Sequence, residues 1–188
     1  MQKNIMIVGV GGQGTLLASR ILGNLLVEKG YDVKVSEVHG MSQRGGSVVT
    51  YVKYGDKVYS PIIDKGEADI ILAFERLEAL RALPYLKKGG KIIVNDRATM
   101  PMPVITGNAE YPEGIIETLS AVAEVKSLDA LVLAEEAGSV KAVNVVLIGV
   151  LAASTDIPKE EWIKVLCATV PQKLLDVNLK AFDLGYAL

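Results

Sequence analysis

The first apolar segment of the chain is short, continuous and followed by glycine. The uninterrupted run Ile5–Val8 is typical of a strand buried on both faces, and the stretch Gly9–Gly14 after it predicts a tight turn. Apolar residues then recur at helical spacing from Ala18 to Leu25, and Gly30 is placed to end that helix. With a second strand predicted at 31–38, this order indicates a βαβ unit with parallel strands.

The pattern changes after residue 46. Residues 47–54 are rich in β-branched and aromatic side chains, Gly55-Asp56 is a turn signal, and 57–59 is again strand-like, so a β-hairpin is predicted there as an insertion. Strands and helices then alternate until the chain becomes helical from about residue 129. The other predicted elements are strands at 69–74, 91–95 and 124–128, helices at 76–86 and 115–123, a turn at Gly89-Gly90, and a loop at 99–112.

These elements predict an α/β fold, with a Rossmann-like, three-layer, mostly parallel sheet, an inserted β-hairpin and a helical C-terminal part. Residues 1–188 are expected to form a single domain on which the helices from about residue 129 pack. Half of the residues are hydrophobic and 22% are charged, so the chain can bury a large core.

Charge and cysteine content exclude several classes of function. A formal net charge of −2 gives no electrostatic basis for binding nucleic acid or an anionic membrane. The single cysteine, Cys167, cannot form an internal disulfide, a structural zinc site or an iron–sulfur cluster. A reducing cytoplasm is therefore the expected location. The apolar run 142–153 contains Asn144 and is shorter than the ~20 residues that span a bilayer.

The first candidate site is the glycine turn. Gly9, Gly11 and Gly14 have the G-x-G-x-x-G spacing, between a predicted strand and a predicted helix. Glycine allows the turn and a close approach of the backbone to a pyrophosphate, and the helix N-terminus offers free N–H groups and partial positive charge. Glu37, near the end of the second strand, is placed where a ribose-binding acid would lie. The alternative that this turn binds no ligand remains, and the motif does not distinguish NAD, FAD and coenzyme A.

The second candidate site is the polar loop 37–48, which follows the second strand. Ligands of open parallel sheets bind beyond the carboxyl ends of the strands, so this loop is expected beside the glycine turn. Arg44 can bind a phosphate bidentately, and Ser42 and Gln43 add hydrogen-bonding groups. Gly45 lets the backbone come close to a ligand or partner. The alternative is an ordinary solvated loop with turn glycines.

Together the two motifs resemble a known family. The sequence Gly9-Val10-Gly11-Gly12-Gln13-Gly14, followed by Glu37-Val38-His39-Gly40-Met41-Ser42-Gln43-Arg44-Gly45-Gly46-Ser47-Val48, is similar to the gamma subunit, or gamma domain, of 2-oxoacid:ferredoxin oxidoreductases. The Ser-Gln-Arg-Gly-Gly sequence at residues 42–46 resembles that of the beta subunit in the indolepyruvate branch of that family. The resemblance covers nearly the whole chain.

The resemblance implies a multi-subunit enzyme that oxidatively decarboxylates an aryl 2-oxoacid in anaerobic organisms. Thiamine diphosphate, magnesium and iron–sulfur clusters would lie on a larger partner subunit, through which electrons reach ferredoxin. This chain would contribute a coenzyme A or nucleotide site and a docking surface, and would be inactive alone. The residues carried over to that site are Gly9, Gly11, Gly12, Gln13, Gly14, Ser42, Gln43, Arg44 and Gly45, with no catalytic residue and no metal ligand.

Two other functions are compatible with the residues. A free-standing NAD(P)-dependent dehydrogenase would explain the glycine turn and Glu37, but the sequence has no Tyr–Lys pair at helical spacing and no His–acid pair to move the substrate proton. A non-enzymatic dimeric scaffold would leave the turn empty, and aliphatic C-terminal helices are compatible with a homodimer.

Overall fold

The computed structural model describes residues 2–40 and 45–188. In that part of the chain, six strands form one sheet and helices cover both of its faces. The strands are β1 (Lys3–Val10), β2 (Asp32–His39), β3 (Ser47–Gly55), β4 (Ala68–Ala73), β5 (Leu86–Asn95) and β6 (Glu124–Leu128). The helices are α1 (Thr15–Glu28), α2 (Arg76–Ala82), α3 (Met102–Ile105), α4 (Ile115–Ser120), α5 (Ala130–Ala137), α6 (Val143–Ala153), α7 (Lys159–Thr169) and α8 (Leu175–Tyr186).

The strand order in the sheet is β2-β3-β1-β4-β5-β6. Strands β1, β4, β5 and β6 pair in parallel, whereas β3 is antiparallel to both β1 and β2. The prediction of a mostly parallel α/β sheet with a helical C-terminal part is therefore confirmed. Breaks near Gly138, Pro158 and Pro171 separate α5, α6, α7 and α8.

The predicted partner of strand β3 is wrong. Residues 57–59 form no strand. The hairpin partner of β3 is instead β2, the strand before it in the chain. The reason is that β1 already occupies one edge of β3 and β2 the other, which leaves no free backbone for a third neighbour. The predicted βαβ unit is corrected in the same way: β1 and β2 point in the same direction but are separated by β3.

Alternate residues of the central strands face two separate cores. Ile5 and Ile7 of β1 face α1 and the C-terminal helices, whereas Met6 and Val8 face α2 and α4. This is the period-two geometry of a strand with both faces covered, and it explains the continuous apolar sequence. The three-layer architecture expected from the sequence follows directly from it.

Helix α6 lies inside the helical layer. Its residues from Asn144 to Ala152 are all buried, which explains an apolar run too short to span a bilayer. Two glycines let it cross α8 at close range, because a Cβ at Gly149 would lie 2.2 Å from the carbonyl oxygen of Phe182. A Cβ at Gly185 would lie 2.0 Å from the carbonyl oxygen of Val146. In the described part of the chain, no helix is long and apolar enough to cross a membrane.

The largest differences from the predicted boundaries lie at β5, at the end of α2 and in the loop 99–112. Strand β5 begins at Leu86, so Gly89-Gly90 lies within a strand with an irregular register rather than in a turn. Helix α2 ends at Ala82 and is followed by a single 3-10 turn, where Pro84 cannot supply a helical N–H. The loop 99–112 contains the one-turn helix α3.

Candidate functional site

The glycine turn joins the end of β1 to the start of α1, as predicted. Gly12 has φ = 103° and Gly14 has φ = 86°, values in the left-handed region that favours glycine. The N–H of Leu17 in the first turn of α1 donates to the carbonyl oxygen of Gly14 at 3.2 Å, whereas the N–H groups that precede it lie before the first i−4 carbonyl and carry the positive end of the helix dipole. A Cβ at Gly12 would meet no atom within 4 Å, so this point of the turn is open to a ligand.

Gly9 and Gln13 have structural roles in this turn. A Cβ at Gly9 would lie 2.8 Å from Oε1 of Gln13 and 2.9 Å from Cβ of Phe74, so glycine is required by close packing. Oε1 of Gln13 accepts a hydrogen bond from the N–H of Val10 at 2.7 Å. The Gln13 side chain therefore braces the turn in this structure, while its position still borders the neighbouring cleft.

The second loop meets the glycine turn at its described end. The N–H of Gly11 donates to the carbonyl oxygen of Gly46 at 2.9 Å, and the N–H of Gly45 donates to the carbonyl oxygen of Gly11 at 3.3 Å. The predicted proximity of the two motifs is thus present for Gly11 and Gly45. Ser42, Gln43 and Arg44 lie outside the described residues.

Glu37 is not brought to the turn. It is an exposed residue of β2, its register partner on β3 is Thr50, and Thr50 in turn pairs with Ile7 of β1. Glu37 is therefore level with the middle of β1 and two strands away from it, a separation of roughly 10 Å. Its Oε2 lies 3.5 Å from the hydroxyl oxygen of Thr50. The ribose contact stays a prediction that this geometry does not favour.

A cleft of about 680 Å³ opens beside the glycine turn. Two cationic side chains line it, Arg97 after β5 and Lys141 before α6, and both are exposed. Its described lining contains no carboxylate, although NH1 of Arg97 lies 3.6 Å from Asp129 at the border. The other lining residues are Gly12, Gln13, Gly14, Phe74, Asn95, Ala98, Thr99, Leu131, Val140, Val143 and Asn144.

Asn144 forms the wall where α6 meets the glycine turn. It is only 8% exposed, and its Nδ2 lies 3.5 Å from the carbonyl oxygen of Gly14. Its Oδ1 has no hydrogen-bond partner among the described residues. A buried carbonyl oxygen without a donor costs about 1–3 kcal/mol, so this atom is a strong candidate to accept a hydrogen bond from a ligand. A Cβ at Gly14 would lie 2.6 Å from Asn144 Nδ2, which is why glycine is required there.

Asn95 also lines the cleft, but both ends of its carboxamide are hydrogen-bonded to the main chain. Its Nδ2 donates to the carbonyl oxygen of Phe74 at 3.2 Å, and its Oδ1 accepts from the N–H of Ala130 at 3.0 Å. These bonds join the ends of β4 and β5 to the start of α5. Asn95 therefore shapes the cleft and leaves Arg97 and Lys141 as its charged groups.

A second cleft of about 420 Å³ lies on the other side of Thr99. Glu78 is buried at its base, where its Oε2 accepts from the Ser47 hydroxyl and its Oε1 from NH1 of Arg81, each at 2.5 Å. The rim is apolar, with Met100, Met102 and Ile105 exposed. Since Glu78 already neutralises Arg81, this cleft suits apolar contacts better than a free anion.

The buried carboxylate of Glu75 holds Thr99, the residue that lines both clefts. Its side chain caps α2 by accepting from the N–H of Glu78 at 2.9 Å, and it also accepts from the N–H of Thr99 at 3.0 Å. Tyr111 donates its hydroxyl to the same oxygen as Thr99, at 2.5 Å. Burial, and then this bond to Glu75, raise the pKa of Tyr111 far above its ordinary value, so it remains a donor.

Sequence reasoning missed Lys141 as a site residue and did not connect Asn144 with the glycine turn. The sequence pattern that could have indicated their role is a pair of polar residues, Lys141 and Asn144, at the start of an otherwise apolar helix. Lys141 lies in the 3-10 turn Val140–Ala142 that leads into α6, and its spacing of three residues from Asn144 favours placing both side chains on one side of the helix entry.

Sequence comparison identifies the family of this chain. The profile of the family described as pyruvate ferredoxin/flavodoxin oxidoreductase matches residues 4–188. The chain belongs to that family. It is 48% identical over 192 aligned residues to the indolepyruvate oxidoreductase subunit IorB of Pyrococcus horikoshii, covering 98% of this chain and 94% of that protein.

Solved structures of the family share the fold. Pyruvate oxidoreductase subunit PORC of Thermotoga maritima superimposes with a TM-score of 0.76 at 20% identity, over 99% of this chain and 96% of that one. The 2-oxoglutarate:ferredoxin oxidoreductase of Magnetococcus marinus, solved with 2-oxoglutarate, coenzyme A and succinyl-CoA bound, gives a TM-score of 0.70 at 20% identity. The match covers 99% of this chain but 30% of that longer one.

Proposed function

We propose that this chain is the small subunit of an indolepyruvate-type 2-oxoacid:ferredoxin oxidoreductase, in which it holds coenzyme A and docks a larger subunit. The observation that carries the proposal is the open glycine turn at the start of α1, beside a cationic cleft whose wall contains the unpaired Oδ1 of Asn144. The 48% identity to a subunit named for indolepyruvate supports the substrate branch.

The proposed site combines groups from both motifs. Main-chain amides at Gly12 and Gly14 would bind the pyrophosphate, while Gly9 and Gln13 hold the turn in shape. Main-chain hydrogen bonds of Gly11 with Gly45 and Gly46 join the described end of the second loop to the turn, which supports a shared site. Ser42, Gln43 and Arg44 remain proposed ligands on the strength of the sequence alone.

A division of labour between subunits follows from the residues present. An iron–sulfur cluster needs several cysteine thiolates, and the chain has one cysteine. Among the described residues, no group of three or more acidic, His or Cys side chains could hold a metal ion. These residues do not fit thiamine diphosphate, magnesium or clusters, so we assign those groups, and the route to ferredoxin, to the larger subunit. Bound coenzyme A would supply the thiol that accepts the acyl group.

The apolar rim around Met102 is the proposed docking surface for that larger subunit. Met100, Met102 and Ile105 are exposed on a segment held by prolines, beside both clefts. The cleft itself offers no paired nucleophile and base among its described lining residues, so the reacting end of its ligand has to meet another polypeptide. A cytoplasmic location and a homodimer remain predictions.

The coenzyme site can be tested by placing a charge where the turn is open. Gly12→Asp should abolish coenzyme A binding because a carboxylate would face the pyrophosphate, whereas Gly12→Asn, equal in size and tolerant of the same backbone, should retain most of it. Binding is measured by titration calorimetry on the purified chain and on the assembled enzyme. Equal affinities for the two variants would contradict the proposed site.

Docking has its own matched test. Met102→Glu should prevent co-purification with the thiamine-bearing subunit. Val122→Glu is the control and should not, because Val122 is 67% exposed against 66% for Met102 but lies before β6, near the opposite edge of the sheet. Co-purification of both variants would exclude the Met102 rim as the interface. If the wild-type chain alone oxidised arylpyruvates, the subunit assignment itself would be wrong.

A further inference from the structure

The charge of the cleft exceeds what one pyrophosphate requires. The glycine turn offers main-chain amides and about half a positive charge from the dipole of α1, which suits a single phosphate or pyrophosphate group. Arg97 and Lys141 add two full positive charges on separate elements of the same cleft. The whole chain has a net charge of −2, so this positive region is local.

Both cations are free to meet a ligand. Lys141 is exposed at the mouth of the cleft. Arg97 keeps 44% of its side-chain surface exposed, and its contact with Asp129 is long at 3.6 Å, so a phosphate could replace or share it. Phe74, Leu131 and Val143 provide apolar lining between these groups and the turn.

The buried wall of the cleft supplies independent evidence of a ligand. Asn144 is more than nine-tenths buried, lies against Gly14 and has an unpaired Oδ1. A native protein rarely leaves such an acceptor without a donor, and a hydroxyl or amide N–H of a bound molecule would satisfy it.

We infer that the cleft selects a nucleotide that carries a phosphate monoester in addition to its pyrophosphate, with Lys141 and Arg97 binding the monoester. This inference rests on the proposed coenzyme site and decides between ligands that share an adenosine diphosphate. Coenzyme A has the extra phosphate, which carries −1.5 to −2 at neutral pH. Dephospho-coenzyme A and NADH lack it.

The test compares coenzyme A with dephospho-coenzyme A on the full-length chain and on the assembled enzyme. Coenzyme A should bind about tenfold more tightly, the usual effect of a charge-assisted hydrogen bond. Lys141→Ala should remove part of this preference, and Lys141→Ala combined with Arg97→Ala should reduce the affinity for coenzyme A to that for dephospho-coenzyme A, with the latter unchanged in both variants. Lys88→Ala, at the opposite edge of the sheet, is the control and should alter neither.

Two further readouts separate ligand binding from structure. Lys141→Ala should keep the wild-type melting temperature and should weaken the salt dependence of coenzyme A binding. Asn144→Leu should lower the affinity for both nucleotides, because it removes the buried acceptor without changing the cationic side. Circular dichroism and thermal unfolding check that this buried variant is folded.

The outcomes distinguish the inference from the function on which it rests. Equal binding of the two coenzymes, or a Lys141→Ala effect on both, overturns the inference while the coenzyme site stands. Tighter binding of NADH than of coenzyme A overturns it as well. If neither coenzyme binds the chain or the enzyme, the proposed coenzyme site fails together with the inference.

Discussion

Tyr111 donates its hydroxyl to Oε1 of Glu75, an oxygen that lies 2.5 Å away and belongs to a residue only 1% exposed. The same oxygen accepts from the N–H of Thr99. One carboxylate therefore ties together both ends of the segment 99–111, which separates the two clefts and presents the apolar rim. Arg76 stacks on the other side, with its guanidinium 5.8 Å from the centre of the Tyr111 ring.

Removal of the Tyr111 hydroxyl should loosen this segment. We expect Tyr111→Phe to lower the free energy of unfolding by about 1 kcal/mol, and Glu75→Gln by about 2 kcal/mol because an amide cannot accept at both of its terminal atoms. Urea unfolding measures both values. Tyr59→Phe, at a tyrosine 88% exposed, should have no effect, and a similar loss in that control would refute the explanation.

The protein should lose stability in alkali as its partly buried tyrosines ionise. Burial, and then the neighbouring Tyr31, Asp69 and Asp156, raise the pKa of Tyr54 to about 12, above its ordinary 10.0. Since the folded state holds the proton more tightly than the unfolded state, this stabilisation is complete below pH 10 and is lost as the pH rises towards 12.

Tyr54→Phe should flatten that decline, because phenylalanine has no proton to release in either state. Unfolding by urea at a series of pH values above neutrality measures it, with tyrosinate absorbance as a direct record of ionisation. Tyr111, whose pKa is raised in the same direction, should leave a residual slope in the variant. A wild-type stability that rises through this window would contradict the argument.

The glycine turn should tolerate alanine unequally at its two left-handed positions. Gly14→Ala and Gly12→Ala each cost about 1 kcal/mol of backbone strain, but only the former places a Cβ 2.6 Å from Asn144 Nδ2. Because the Asn144 carboxamide must move away from Gly14 and its side chain is mostly buried, we expect Gly14→Ala to cost about 1 kcal/mol more.

A double-mutant cycle checks the cause. In an Asn144→Ala background the additional cost of Gly14→Ala should disappear, whereas that of Gly12→Ala should stay the same. Thermal or urea unfolding of the four variants gives the coupling. Additive effects at Gly14 and Asn144 would show that the clash is relieved elsewhere.

The crossing of α6 and α8 should be intolerant of a single methyl group. Gly185→Ala would place a Cβ 2.0 Å from the main-chain oxygen of Val146, so the helices must separate, and we expect a loss of more than about 3 kcal/mol. Gly23→Ala in α1 is the matched control, since its Cβ would make an ordinary 3.7 Å contact with Val35. That variant should be neutral or stabilising by up to about 1 kcal/mol.

Local patterns predicted the elements of this fold better than their partners. The apolar run at Ile5 and the helical spacing after Gly14 gave β1, the turn and α1, because both signals arise from nearby residues. The partner of β3 was wrong because the turn signal at Gly55-Asp56 is local, whereas the choice of neighbour depends on which sheet edges are already occupied.

The same distinction holds for the candidate site. The glycine motif located the turn, but Lys141 and Asn144 reach it only because α6 packs across α1, some 130 residues later in the chain. No spacing rule connects residues so far apart. The ribose contact predicted for Glu37 assumed that β2 lies next to β1, whereas β3 lies between these strands, so the contact stays a prediction.

The insertion of β3 also determines when this protein can acquire structure during synthesis. Strand β2 emerges from the ribosome before β3, yet its contacts with the sheet run through β3, so it must wait for residues 47–55 before it can attach. Residues 1–40 alone therefore cannot form this part of the sheet, because β2 has no neighbouring strand until β3 is present. The same strand brings Gly45 and Gly46 to Gly11, so the glycine turn gains these main-chain hydrogen bonds only when β3 lies beside β1.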